Sequence, residues 1–305
     1  MDYIVFDLEW NQNPDHRRRP NMMLPFEILE IGAVKLDEEL RETDTFHRLI
    51  KPAIYHRIDD SIRRVTHMDM RELKHGIPFP DAAEEFISWC GEDFRFCTWA
   101  RQDVMELQRN MRYYHMLDLL PGPVVYYDVQ KLASLTFEDG KERRSLEHMV
   151  DFLELSKDKN FHRALADAVY TARVFAHVNR RYLIGYESID SYQNPKEKWE
   201  EFIYTSGDRE KYITREFGNR DRLVHDKGVH RMRCPVCKKF TKSAHWTAIN
   251  SKVYLCLTAC AEHGSVEGRL RIRKTDQDRY YAERTLRLIT QDEEKELRAR
   301  LEALQ

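Results

Sequence analysis

Tyr3-Ile4-Val5-Phe6-Asp7-Leu8-Glu9-Trp10 begins as an apolar, β-rich run and then sets two carboxylates two residues apart. On a strand, alternate residues share a face, so Asp7 and Glu9 project together. Two carboxylates side by side on a buried strand repel each other and lose hydration, unless a cation neutralises them. The bland alternative is a pair of edge-strand acids facing solvent. The apolar run before them argues against it, and a metal site is expected here.

Working outward, Ile28–Leu36 reads as a second strand with Asp37-Glu38-Glu39 as its turn, and Thr45–Ile50 as a third before Pro52. Short connections between the three suggest an antiparallel meander. Asp81 is expected to cap an amphipathic helix over 82–90, and Arg95–Trp99 is short and apolar enough for a fourth strand. A helix-like segment follows at 101–116, then a fifth strand at 124–127 and helices at 146–153 and 164–182. This order predicts an α/β fold, a mixed five-stranded sheet flanked by helices.

Two further groups join the acidic pair. Asp103 follows the fourth strand at a strand-to-helix junction, where catalytic groups gather in α/β folds. In His162-Arg163-Ala164-Leu165-Ala166-Asp167, the spacing lets a helix start supply a carboxylate while the preceding loop holds the imidazole nearby.

These segments together resemble a known family. Phe6-Asp7-Leu8-Glu9-Trp10 resembles the first motif of the DEDD exonucleases, the DnaQ-like superfamily with an RNase H-like fold. Thr98-Trp99-Ala100-Arg101-Gln102-Asp103 looks like the second motif, and His162 through Asp167 matches the third in its DEDDh form. Glu30-Ile31-Gly32-Ala33-Val34, Ile50-Lys51-Pro52 and Ser145-Leu146 resemble the family's supporting phrases. The likeness covers about residues 1–182 and is nearest to the KapD-type and Eri-type enzymes, which favours single-stranded RNA over DNA. One departure is Thr66-His67-Met68, where many relatives carry Thr-Gly-Ile, a segment that bears on the 3′-terminal nucleotide. The resemblance implies a 3′→5′ exonuclease using two Mg²⁺ or Mn²⁺ ions about 4 Å apart. It implies that Asp7, Glu9, Asp103 and Asp167 hold the metals, with Asp7 bridging them, and that His162 is the general base. Hard carboxylate ligands suit these ions, and imidazole suits proton transfer near neutral pH.

Four of the six cysteines cluster late in the chain. Cys234-Pro235-Val236-Cys237 has the spacing of a zinc knuckle, and Cys256 and Cys260 offer a second pair. In a chain read as cytoplasmic this favours one structural Zn²⁺ over disulfides. The segment resembles a zinc ribbon. Cys260-Ala261-Glu262-His263 is itself a passable knuckle, so His263 stands as an alternative ligand to Cys256. Arg269, Arg271 and Arg273 alternate on a strand near Trp246 and Tyr254, a pattern that can grip phosphates and stack bases.

Charge supports a division of labour. Residues 1–185 hold 26 Lys+Arg against 32 Asp+Glu, whereas residues 209–274 hold 16 against 6. A basic segment attached to an acidic catalytic half fits phosphate binding. The expected layout is an exonuclease domain at 1–185, a connecting region at 186–228, a zinc-ribbon-like domain at 229–275 and a charged helix at 276–305. The ribbon could also dock a protein partner. No apolar run approaches the ~20 residues of a membrane helix, and the N-terminus lacks the basic and small-residue regions of a signal peptide. Two rival readings remain: a DNA exonuclease of the proofreading or repair kind, and an inactive nucleic-acid-binding protein. The full acidic set argues against the second.

Overall fold

Alternation along the first strand sets the layers of the N-terminal unit. In the computed structural model, which describes all residues except 16–18, 243–244 and 305, β1 (Asp2–Gln12), β2 (Phe26–Leu36) and β3 (Glu42–Leu49) form the expected meander. Short helices α1 (Asp60–Thr66) and α2 (Met70–Leu73) precede α3 (Phe79–Cys90), β4 (Phe94–Thr98), α4 (Gln102–Tyr113) and β5 (Val124–Asp128). Then come α5 (Val129–Phe137), α6 (Leu146–Phe152), α7 (Ala164–His177) and β6 (Ser188–Asp190). The sheet order is β3-β2-β1-β4-β5-β6, with β4 and β5 parallel to β1 and β6 antiparallel to β5. Ile4, Phe6 and Leu8 pack with Phe86, Val104 and Leu107 on one face. Tyr3 and Val5 pack with Leu132, Met149, Tyr170 and Phe175 on the other.

The sheet has six strands where five were expected. β6 is three residues long, too short to show alternation, and its Asp190 accepts hydrogen bonds from Arg101 Nε (2.6 Å) and Gln108 Nε2 (2.9 Å). Asp81 does not cap its helix. The helix starts three residues earlier, at Phe79 after the N-cap Pro78, and Asp81 sits in the first turn. α5 was not anticipated; Asp128 caps it by accepting from Lys131 N.

Gly32 fixes the seat of α7. A Cβ built there would overlap backbone atoms of Ala164 and Leu165, so only glycine lets the helix start touch β2. Gly32→Ala should force α7 away and lower stability by about 3 kcal/mol, or the unfolding midpoint by roughly 6–12 °C. A calorimetric midpoint equal to that of the parent would show that the contact is dispensable.

The second unit, Gln193–Gln305, has its own sheet. β7 (Phe202–Ser206), β8 (Arg209–Ile213), α8 (Arg220–Val224), α9 (Lys227–His230), β9 (Thr247–Ala248), β10 (Val253–Cys260), β11 (Gly264–Lys274), β12 (Tyr280–Leu288) and α10 (Gln291–Glu302) follow in sequence. The order is β7-β8-β12-β11-β10-β9, antiparallel throughout. This corrects the expected layout. Residues 202–213 are strands rather than a connecting stretch, and 280–288 is a strand rather than part of a charged helix. Ala282 and Leu286 of β12 are buried while Glu283, Thr285 and Arg287 alternate with them. The charges hid that alternation. No helix among the described residues is long and apolar enough to cross a membrane.

Candidate active site and metal cluster

Four acids converge from three segments. Asp7 pairs across β2 with Gly32, and Glu9 with Glu30, so both carboxylates point to the face on which α7 begins. Asp167 lies in the first turn of α7 and Asp103 in the first turn of α4. Oxygens of Asp7, Glu9 and Asp167 come within 4.8 Å of one another. Asp103 stands outside that group, but its Oδ1 accepts from Leu8 N at 3.2 Å. That amide is free to donate because β4 pairs with β1 only as far as Val5.

Burial and mutual repulsion raise all four acids above the usual carboxylate range. Burial, then Asp103, Asp167 and Glu9, push the Asp7 carboxyl well above the usual range. Burial and Asp167 raise Glu9 to about 8. Burial lifts Asp103 to about 7 and Asp167 to about 6, the latter opposed by a hydrogen bond from His162 N. The N-termini of α4 and α7 supply only partial positive charge. Oδ1 of Asp167 is buried and has no hydrogen-bond partner among the described residues. An orphaned oxygen beside two converging carboxylates fits a divalent cation bound by hard oxygen ligands.

His162 sits one residue before the N-cap of α7 with φ +65°, a left-handed conformation uncommon outside glycine. Its amide donates to Asp167 Oδ2 at 3.0 Å, and its side chain is exposed. The anchor of this turn is a residue far away in sequence. Glu30, 1% exposed, accepts from Arg163 Nε and Nη2, from His47 Nε2 (2.6 Å) and from Ala164 N (3.1 Å). A glutamate inside an apolar strand was the available signal, since a buried charge needs partners. The departure at Thr66-His67-Met68 falls at a tight turn. His67 is the left-handed C-cap of α1, the position that glycine favours, and Met68 is fully buried.

In the second unit Cys234, Cys237, Cys260 and His263 place ligand atoms within 4.8 Å of one another, an arrangement that could hold a metal ion. Sγ of Cys260 lies 3.7 Å from Sγ of Cys237 and 3.7 Å from Nδ1 of His263. Cys256 is not in the cluster, which corrects the expected ligand set. It precedes Cys260 by four residues on β10, about 13 Å of extended strand. Burial pushes its thiol up to about 12, whereas the backbone N–H of Glu262 and then the His263 side chain hold Cys260 down near 6. The stacking platform is corrected too. Tyr254 pairs with Leu270, on the face opposite Arg269, Arg271 and Arg273. Its hydroxyl accepts from Arg220, while Trp246 Nε1 donates to His230 O at 3.1 Å.

The exonuclease family, of the RNase T type, matches residues 4–175, and the chain belongs to that family. A search of curated proteins gives no match. Among solved structures, the nuclease domain of 3′hExo, a DEDDh family member bound to rAMP, aligns at TM-score 0.50 and 19% identity, covering 60% of this chain and 91% of that one. This likeness shows the RNase H-like exonuclease fold. A 3′-exonuclease recognising a histone mRNA stem-loop aligns at TM-score 0.49 and 17% identity, over 58% of this chain and 62% of that one. E. coli exonuclease I with a dA16 oligonucleotide aligns at 0.46 and 14%, over 84% and 54%.

Proposed function

We propose that the protein is a 3′→5′ exonuclease that hydrolyses single-stranded nucleic acid, RNA in preference to DNA, with two Mg²⁺ or Mn²⁺ ions. The observation that carries this reading is the convergence of Asp7, Glu9 and Asp167 around an unpartnered buried oxygen, with Asp103 beside them. Those four residues would hold the ions, which supply Lewis acidity to the phosphate and acidify the attacking water. His162 accepts the water's proton at an imidazole nitrogen. Glu30 and Arg163 hold the turn that carries His162 and the start of α7 that carries Asp167. The preference for RNA rests on the likeness to KapD-type and Eri-type motifs.

The test uses 5′-labelled single-stranded RNA and DNA with Mg²⁺, Mn²⁺ or EDTA. A ladder shortening from the 3′ end, faster on RNA and absent in EDTA, is expected. Endonucleolytic fragments, or equal cleavage in EDTA, would overturn the reading.

The Cys234, Cys237, Cys260 and His263 cluster is proposed to bind one structural Zn²⁺. A tetrahedron with Zn–S of about 2.3 Å has edges of about 3.8 Å, close to the observed 3.7 Å between Cys237 and Cys260. Metal analysis should find one zinc per chain. Cys260→Ser should lose it and loosen the second unit, whereas Cys256→Ser should keep it. Zinc lost from the Cys256 variant alone would restore Cys256 as the ligand.

A further inference from the structure

We infer that the second unit carries a binding groove for single-stranded nucleic acid, built on the hairpin around the Cys234–Cys237 knuckle and distinct from the acidic cluster. It goes beyond the proposed exonuclease reading but takes its substrate class from it. The groove has a volume of about 850 Å³ and is lined by His225, Lys227, His230, Arg231, Phe240 and Lys242 among others, with no acidic residue in its walls.

Three observations select the ligand. First, several cations elsewhere in this unit are paired, among them Arg215 with Glu201 and Asp226, Arg233 with Glu210, and Arg287 with Glu267 and Glu293. Lys227, Arg231 and Lys242 form no ion pair among the described residues. Unpaired cations gathered around one concavity call for a polyanion. Second, Phe240 is 57% exposed, and the Arg231 guanidinium lies 3.6 Å from its ring centroid. An exposed ring with a cation on it offers an unpaired base a stacking platform beside a phosphate contact. Third, the platform is fixed. Arg233 bridges to Phe240, Thr241 N donates to Met232 O at 3.2 Å, and Cys234 N donates to Lys239 O at 2.9 Å. Arg231 and Phe240 therefore stand on opposing arms of one pinned hairpin. A duplex hides its base faces, so the stacking surface points to a single strand.

The test measures fluorescence anisotropy of labelled oligo(U) and oligo(dT) over a salt series. The protein is full-length and carries Asp7→Asn, so that the probe survives. Phe240→Ala should weaken binding about tenfold, and Phe240→Trp should stay within about twofold of the parent because stacking tolerates any ring. Lys227→Ala with Lys242→Ala should weaken binding and make the log–log salt slope shallower by about 1.4, the value for two phosphate contacts on a single strand. With Asp7 restored, hydrolysis of the p-nitrophenyl ester of thymidine monophosphate should be the same in all these variants, because none of the substituted residues belongs to the acidic cluster. Equal affinity and slope in parent and variants would overturn the proposal. So would an equal loss on a duplex of the same sequence. If no chain hydrolysed nucleic acid while the variants still lost affinity, the exonuclease reading would fall and the groove would stand.

Discussion

Asp7→Asn is expected to lower phosphodiester hydrolysis by more than about 10³-fold, the equivalent of the several kcal/mol that bound cations contribute to the transition state. The same substitution should make the metal-free protein more stable. Asp7 faces Asp103, Asp167 and Glu9, all raised by burial and by one another. A carboxyl whose folded pKa is raised favours folding fully below its unfolded pKa, and that contribution is lost as pH rises through the folded value. In the metal-free parent the unfolding midpoint should therefore fall between about pH 4 and pH 8, through the values near 6, 7 and 8 for Asp167, Asp103 and Glu9. Added Mn²⁺ should reverse the fall at pH 8, and Asp7→Asn should flatten it. Thermal scans across pH, with and without Mn²⁺, check both. A flat parent profile would mean that the acids are not in mutual contact. Near-normal activity in Asp7→Asn would remove the residue from the reaction.

Much of this centre was legible in the sequence because its parts are local. Alternation in β1 put Asp7 and Glu9 on one face, and the spacing of His162 and Asp167 marked a turn entering a helix. What could not be read there depends on contacts between distant segments. Nothing near Gly32 announces that α7 must lie against it, since the cause is 133 residues away in Leu165. Glu30 stands out only as part of a family phrase, because its partner Arg163 is remote in sequence. β6 escaped notice because three residues carry no period, and β12 because its outward charges masked Ala282 and Leu286. The second metal cluster turned on a different point. Spacing alone left Cys256 and His263 as alternatives, and the extended strand between Cys256 and Cys260 separates them too far for one ion. Charge asymmetry marked the second unit as the basic part of the chain. Without the sheet register the aromatic residues it offered were Trp246 and Tyr254, which face inward.

For His162 the backbone and the imidazole can be tested apart. His162→Ala should lower the hydrolysis rate by roughly 10²–10⁴-fold, the usual contribution of a general base. Its amide would still donate to Asp167, so the carboxylate cluster should keep its affinity for Mn²⁺. The position has φ +65°, however, and a side chain there carries strain that glycine would release. His162→Gly should therefore raise the unfolding midpoint slightly while losing as much rate as His162→Ala. Strain at a residue that is proposed to move a proton is the expected mark of a position held for chemistry rather than for folding. Imidazole added to either variant should restore part of the rate, since it can take the same proton from solution. A stabilised His162→Gly enzyme with full activity would make this histidine a turn residue, and the base would have to be sought elsewhere.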